Sequence, residues 1–566
     1  MMMSRKRWIV VLPALLFLLT LFLGGVFLRD VVAASRDNLF SQITVFNQVL
    51  NLISNYYVEE VTPDSLIEGA ITGMLDRLDP HSNYMNAERF SRMEERNRGS
   101  YSGIGVSFAI ENGNLTVISA LEGGPSYDLG IRPGDIITHI EGKSAFGIKE
   151  QEVFDKLRGP KGTKVRITLR RLGEEQPFEY EIVRDVIPIQ SVPYAFMLTP
   201  DVGYIMMRNF SARTADELEE ALQDLDSQGM KRLILDLRGN SGGYLNAAVD
   251  VADEFIGGGK KIVYTQGRVP GSTEDYFATD RGNHPEYPIV VLIDAGSASA
   301  SEIVAGAIQD WDRGVVAGRT SFGKGLVQRQ YPLENNGALL LTVARYYTPS
   351  GRLIQRAYKP GEREDYYSHA GEDSALPGEA EDSALPGGEI EVSELAPADS
   401  TERPIFQTLL QKRTVYGGGG ITPDVRIDES YQASRLFAEL SYNRKFFDFT
   451  KSQMAEKQVN WNGDFMGFLQ NFRVSDDMLR KFETYLEADT SFTFVPDSFT
   501  VNQEEIRRGL KAEIGRYLWS EEERYRVLIL EDPALKRALE LLPDAEKMLA
   551  DSRRIEGSIG PRTVRR

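Results

Sequence analysis

The chain has no cysteine, which excludes disulfides, thiolate nucleophiles and cysteine-built zinc sites. Histidine is scarce. There are four, at 81, 139, 284 and 369, with no HExxH pattern and none close in sequence to the serines at 297–301. Basic residues are in deficit, 65 Lys and Arg against 83 Asp and Glu, for a formal charge of −18. Nucleic-acid binding needs basic faces to neutralise phosphate, so this balance argues against it. The acidity is concentrated. Residues 361–402 hold thirteen Asp and Glu against one Arg, and a short tandem repeat, GEDSALPG then EAEDSALPGG. Rich in Pro, Gly and Glu, this insert is expected to be disordered or loosely held.

What is present suffices for several domains. Of 566 residues, 42% are hydrophobic, enough to bury real cores. After Arg5, Lys6 and Arg7 comes an uncharged, mostly apolar run from Trp8 to Leu28. A helix of that length, at ~1.5 Å per residue, spans a bilayer core of ~30 Å. A cleaved signal peptide has a shorter apolar core, although Val32-Ala33-Ala34 offers small residues for cleavage. The expectation is an uncleaved single-pass signal anchor in the cytoplasmic membrane. The basic flank then stays inside and the rest of the chain faces the periplasm or cell exterior. With the N-terminus cleaved, the protein would be secreted to the periplasm.

Residues 38–98 show apolar positions at helical spacing, in ITVFNQVLNLISNYYV and SLIEGAITGMLDRL. SYSGIGVSF then opens a β-rich stretch: LTVISAL, DIITHIEG, a helix near KEQEVFDKLRG, and strands KVRITLRR and FEYEIVR. From about 190 strands and helices alternate. VGYIMMRNF, RLILDLRGNSGG and PIVVLIDAG read as strands; ADELEEALQDL, YLNAAVDVADEFI and ASEIVAGAIQD read as helices. Thr214-Ala-Asp-Glu217 matches a capping box. Such alternation implies a mainly parallel sheet, whose sites lie at the loops beyond strand C-termini. DLRGNSGG and DAGSASASE occupy that position. After GGGGITPDV the chain becomes charged and helical, expected to be an appendage for packing or assembly.

The segment GSASASEIVAGAIQD supports two readings. Ser299-Ala-Ser-Glu302 is a capping box, so Ser299 can be a helix N-cap and nothing more. The same helix start offers free N–H groups to an oxyanion formed by attack of a nearby hydroxyl. A serine nucleophile needs a base. Lys324, in GRTSFGKGLVQRQ, is flanked by Gly323 and Gly325, which let its loop approach another backbone closely. Period 2 in the following strand places Lys324, Leu326 and Gln328 on one face, so Gln328 could orient the lysine. Burial would have to lower the lysine pKa from ~10.4 for it to serve as a base. Gly318–Lys324 also fits GxxxxGK, but the next residue is Gly325 rather than Ser or Thr, and a strand rather than a helix follows. A nucleotide-binding loop is therefore excluded.

Together SASASE (297–302), FGKGLVQ (322–328), LDLRGNSGG (235–243), SGIGVSF, GGPSYDLGIRPGDIITHIEG and LDPHSNYM make the sequence resemble the carboxyl-terminal processing, or tail-specific, proteases. These are Ser/Lys peptidases with an embedded PDZ domain. The resemblance implies Ser299 as nucleophile, Lys324 as general base and Gln328 as orienting residue, at spacings of 25 and 29 residues from the serine. It implies oxyanion donors from the N–H of Ala300 and of Gly243 or Gly242. It implies a carboxylate-binding loop at Gly103, Ile104, Gly105 and Val106, where successive N–H groups cradle a terminal carboxylate and a sheet edge accepts the peptide as an added strand. Arg158 is a candidate lever coupling that domain to the protease.

The implied fold is α/β. A crotonase-like core over 187–360, with a return segment at 403–428, carries an inserted β-rich PDZ domain at 99–186. A signal anchor or signal peptide at 1–34, a helical region at 35–98, the insert 361–402 and a helical extension at 429–566 complete the plan. The implied activity is endopeptidic cleavage of proteins with free, apolar C-termini. No metal or organic cofactor is expected; an activator or adaptor protein and a homo-oligomer are the candidate partners. Two other classes compete: a non-catalytic PDZ scaffold on a degenerate core, and an acyl-CoA enzyme sharing the core fold.

Overall fold

The computed structural model describes residues 39–559 apart from 122, 280–283, 360, 362, 369–402, 429–432, 456–458, 460 and 490–493. The apolar run Trp8–Leu28 lies outside the described residues. Among the described residues no helix is long and apolar enough to cross a membrane. The chain divides into two compact units, Met1–Tyr84 and Met85–Arg566. The first contains helices at 39–56 and Pro63–Leu75, the latter opening on an extended Thr62 with proline in its first turn. The helix Ala87–Arg98 falls in the second unit.

The second unit is built around a six-stranded sheet. Its order is Tyr194–Thr199, Val202–Met206, Arg232–Asp236, Ile289–Ile293, Val315–Gly318 and Val425–Arg426. The first pair is antiparallel and the remaining pairs are parallel. Successive strand residues alternate between two cores. Ile205, Leu233, Leu235, Val291 and Val316 face the helices Thr214–Ser227, Leu245–Asp253 and Ala300–Asp310. Tyr204, Ile234, Val290, Leu292 and Ala317 face Leu535, Ala538, Leu541, Leu542 and Ala545 of the C-terminal helix Pro533–Ile559. The sheet is thus buried on both faces, as its continuous apolar strands require. The C-terminal region is therefore half of the core's cover.

An antiparallel sheet adjoins this core. Leu326–Pro332 pairs with Ala338–Tyr347, which pairs with Lys261–Gly267. The β-rich domain is a second sheet system ordered Val106–Glu111, Asn114–Ala120, Ile136–Ile140, Lys164–Arg170 and Phe178–Val183, closed by the helix Glu150–Leu157 over its own core. Val106–Glu111 is an edge strand.

Two local expectations fail. Thr214 does not cap its helix: the N-cap is Arg213, and the Glu217 carboxylate accepts from the N–H groups of Ser191 and Val192 instead of reaching back. A tertiary acceptor role outweighs the local box. The insert 361–402 is not wholly loose. Residues Arg363–Ser368 form a helix whose Tyr366 is buried against Phe322, ring centroids 5.9 Å apart. Aromatic burial holds this first turn, while the tandem repeat lies outside the described residues.

Candidate active site

Two loops leave neighbouring parallel strands at the same sheet edge and are stitched together. Asp294 Oδ1 accepts from the N–H of Gly239 (2.9 Å) and of Gly296 (2.9 Å). Ala298 N–H donates to Asn240 O at 3.0 Å. Of the three alternating serines, two are consumed by this stitching. Ser297 Oγ donates to Leu237 O and Ser301 Oγ to Asn240 O, both at 2.8 Å, and both residues are fully buried. Ser299 is half-buried and stands at the N-cap of Ala300–Asp310, in a capping box with Glu302. Its backbone is at φ 54°, ψ −108°, a region glycine favours and a β-carbon resists. Backbone strain thus falls on the one serine of the three whose hydroxyl the stitching does not use.

Glu302, one turn into that helix, supplies the restraint. It is 1% exposed, and four donors converge on it: the N–H groups of Ser299 (2.8 Å), Lys324 (2.9 Å) and Gly323 (2.7 Å), and Ser321 Oγ (2.5 Å). Burial pushes its carboxyl pKa up, and the hydrogen bonds of Ser321, Lys324, Gly323 and Ser299 oppose that. Tyr346 works from the other side, its hydroxyl contacting the carbonyl oxygens of Ser299 (3.1 Å) and Lys324 (2.7 Å). The backbones of Ser299 and Lys324, 25 residues apart in sequence, are therefore held by one carboxylate and one phenol. Glu302 was legible only as the last letter of a capping box; its acceptor role toward the second loop was not.

The lysine loop is cradled by the return segment. Ile421 N–H donates to Ser321 Oγ at 2.7 Å, and a β-carbon on Gly323 (φ +88°) would lie 2.8 Å from Gly420 N. Likewise a β-carbon on Gly325 would lie 2.9 Å from Gln355 N. The flanking glycines do permit close backbone approach. Lys324 is half-buried just before the strand Leu326–Pro332, and Gln328 sits in that strand beside a register shift between Val327 and Gln328.

The two candidate oxyanion glycines differ. Gly242 N–H is spent on Asn240 Oδ1 at 2.9 Å, and a β-carbon there would lie 2.9 Å from Ala300 N and from Ser299 Cβ. Gly243 sits at φ +155°, where a β-carbon would lie 2.0 Å from Phe210 O. Among the described residues no acceptor takes the N–H of Gly243 or of Ala300. The strand end is braced by Arg238, whose guanidinium donates to Asp236 Oδ2 (2.6 Å) and pairs with Asp532 (2.7 Å) from the C-terminal region.

In the β-rich domain Ile104 is buried and Gly105 turns at φ +73°. The Ile104 carbonyl is held by Ser126 Oγ at 2.6 Å. Gly103 ends the strand Ser100–Gly103 and Val106 begins the edge strand. Phe108 on that strand and Phe154 on the facing helix meet at 5.3 Å. Arg158, at the end of the helix, stacks on Phe154 (4.6 Å) and Tyr101 (4.7 Å) and pairs with Glu95 at 2.7 Å. Glu95 lies on Ala87–Arg98, whose Asn97 carbonyl accepts from Ala212 N–H of the core at 2.8 Å. Arg158 thus touches a helix that reaches the core.

The model of peptidase family S41 matches residues 201–364, a PDZ domain model matches 116–171, and the N-terminal domain model of the activating protease CtpB matches 29–89. A family of unknown function matches 435–520. The chain is 40% identical over 346 residues to a carboxy-terminal-processing protease of Bartonella bacilliformis, covering 59% of this chain and 79% of that protein. It is 34% identical over 341 residues to the carboxy-terminal processing protease CtpA of Bacillus subtilis, covering 60% and 72%. Among solved structures, a photosystem II D1 C-terminal processing protease aligns with 55% of this chain and 90% of its own at 27% identity, with a TM-score of 0.30.

Proposed function

The chain belongs to peptidase family S41, and from that premise we propose that it captures free C-terminal tails through its PDZ domain and cleaves the proteins that bear them with Ser299 and Lys324. The observation that carries this reading is the shared tether: Glu302 accepts from the backbone N–H groups of both Ser299 and Lys324. Lys324 in its neutral form takes the proton from Ser299 Oγ as the oxygen attacks the scissile carbonyl. Gln328 orients the amine. The oxyanion is received by the N–H groups of Ala300 and Gly243, which have no competing acceptor among the described residues, whereas Gly242 N–H is already used. Lys324 returns the proton to the leaving amine, and water hydrolyses the acyl-enzyme by the same route in reverse.

The tail enters as a strand against Val106–Glu111, its carboxylate over Gly103–Val106, and its last side chain displaces the Phe108–Phe154 contact. That displacement loosens Arg158 from Phe154 and hence from Glu95, a route by which tail binding reaches the core. The apolar run with its basic flank supports a protein anchored in the cytoplasmic membrane and facing outward, or secreted if the N-terminus is cleaved.

The test uses full-length protein in detergent with an unstructured substrate ending in an apolar residue, its C-terminus free or amidated. Cleavage should fall at least ~10³-fold in both Ser299→Ala and Lys324→Ala, as for other paired nucleophile and base residues. Amidation should weaken it. Equal cleavage by wild type and Ser299→Ala would overturn the nucleophile; indifference to amidation would remove tail reading.

A further inference from the structure

Away from the peptidase site, three ligand-bearing side chains converge. Glu219 lies on the helix Thr214–Ser227, Glu254 caps the end of Leu245–Asp253, and His284 lies on the segment leading into Ile289–Ile293. One ligand atom from each falls within 4.8 Å of the other two. His284 Nε2 faces Glu219 Oε2 at 2.6 Å, and its Nδ1 faces Asp226 Oδ2 at 3.1 Å. Asp226 is held in turn by the Tyr287 hydroxyl. The imidazole is 5% exposed. Glu254 Oε2 is shielded from solvent, and among the described residues no donor reaches it.

We propose that Glu219, Glu254 and His284 form a binding site for a zinc-class divalent cation. Three features select this ligand. A buried carboxylate oxygen without a donor, beside a second carboxylate, needs a positive centre between them. An imidazole nitrogen among the ligands favours zinc over calcium or magnesium, which take oxygen sets. The Asp226 carboxylate on Nδ1 fixes the tautomer that presents Nε2 to a metal, the usual outer partner of a metal-bound histidine. Ligand atoms around tetrahedral zinc stand ~3.3 Å apart, so the His284–Glu219 contact opens by less than ~1 Å on loading. Three protein ligands leave a fourth position for water. The ion would clip the segment entering the central strand to two helices, one of which, Leu245–Asp253, follows the Gly242–Gly243 loop, so it acts on folding stability and not on the reacting atoms.

Full-length protein is stripped with chelator and titrated with zinc chloride by calorimetry, with melting temperature read in parallel. One zinc per chain should bind and raise the melting temperature. Glu254→Gln and His284→Gln should each weaken binding at least ~10-fold, and Asp226→Asn by ~10- to 100-fold, while Ser299→Ala binds as wild type. Cobalt should give the visible absorption of a four- or five-coordinate ion, a readout available even if one variant folds poorly. A proton shared by Glu219 and Glu254 is the competing occupant. It predicts a more stable Glu254→Gln protein and no saturable zinc binding, and that result would overturn the site. Zinc binding undiminished in both Glu254→Gln and His284→Gln would do the same.

Discussion

The two faces of the central sheet are built alike and differ in what their covers do. One face packs on the helices that carry the reactive motifs; the other packs on Pro533–Ile559, which carries none. Both bury their strand residues completely: Leu235 and Val291 on the first, Ile234 and Leu292 on the second, all at 0% exposure. Yet only the first cover is announced by glycines, serines and caps. The second is announced by nothing except the strands beneath it. A continuous run such as IVVLI has to be covered twice, and the chain must supply the second cover from somewhere. Function marks one face of a sheet; physics requires the other.

The comparison breaks if the C-terminal cover is an appendage. Leu542 is 1% exposed within it. Leu542→Ala should then cost as much as Leu235→Ala on the motif face, ~2–5 kcal/mol each, read from the shift in urea midpoint. If Leu542→Ala shifts the midpoint no more than a surface change, the two faces are not equivalent and the sheet stands without its second cover.

How legible the molecule was follows the same division. The strands, their order of alternation and the helices between them were readable because apolar period and length agree with the turn residues at each junction. Ser299 and Lys324 stood out for the same reason, since small residues cluster where backbones must approach. What sequence could not rank was competition among acceptors. Glu302 and Glu217 both read as capping-box carboxylates. The first does reach its N-cap N–H, but also serves a loop 22 residues onward; the second abandons its box for Ser191 and Val192. The helix that covers the second face gives an amphipathic pattern without an address, and the brace from Asp532 to Arg238 has no local signature at all.

Glu302 sharpens the functional side of the contrast. Glu302→Gln keeps the size and removes two acceptor sites while aiming an amide N–H₂ at N–H donors. The Ser299 and Lys324 backbones should then drift apart. A displacement on the scale of 1 Å costs about 10²-fold in kcat, with KM moved far less because the loop Gly103–Val106, proposed to hold the tail, is untouched. The midpoint of unfolding should move less than for Leu542→Ala. Loss of stability with kcat unchanged would make Glu302 a cap only.

The smallest effect tests whether the C-terminal region reaches beyond the sheet. Its helix Lys445–Ala455 faces the PDZ domain: Arg444 pairs with Glu111 at 3.4 Å, and Asp448 stands beside them. Burial first, then the Glu111 charge, pushes Asp448 up to about 6, against the pull of Lys451, Lys445 and Arg444. A carboxyl whose pKa is raised by folding binds its proton more tightly in the folded chain. Its contribution is therefore fully present below the unfolded value near 4 and is lost as pH rises through about 6. At pH 7.5 the ionised group should cost about 1–2 kcal/mol after screening, because Asp448 is only half-buried. Asp448→Asn should accordingly be more stable than wild type at pH 7.5, by a margin that closes as pH falls toward 4. A margin that is flat with pH would mean that Asp448 is solvated and unopposed by Glu111, and that the C-terminal region covers the sheet without gripping the PDZ domain.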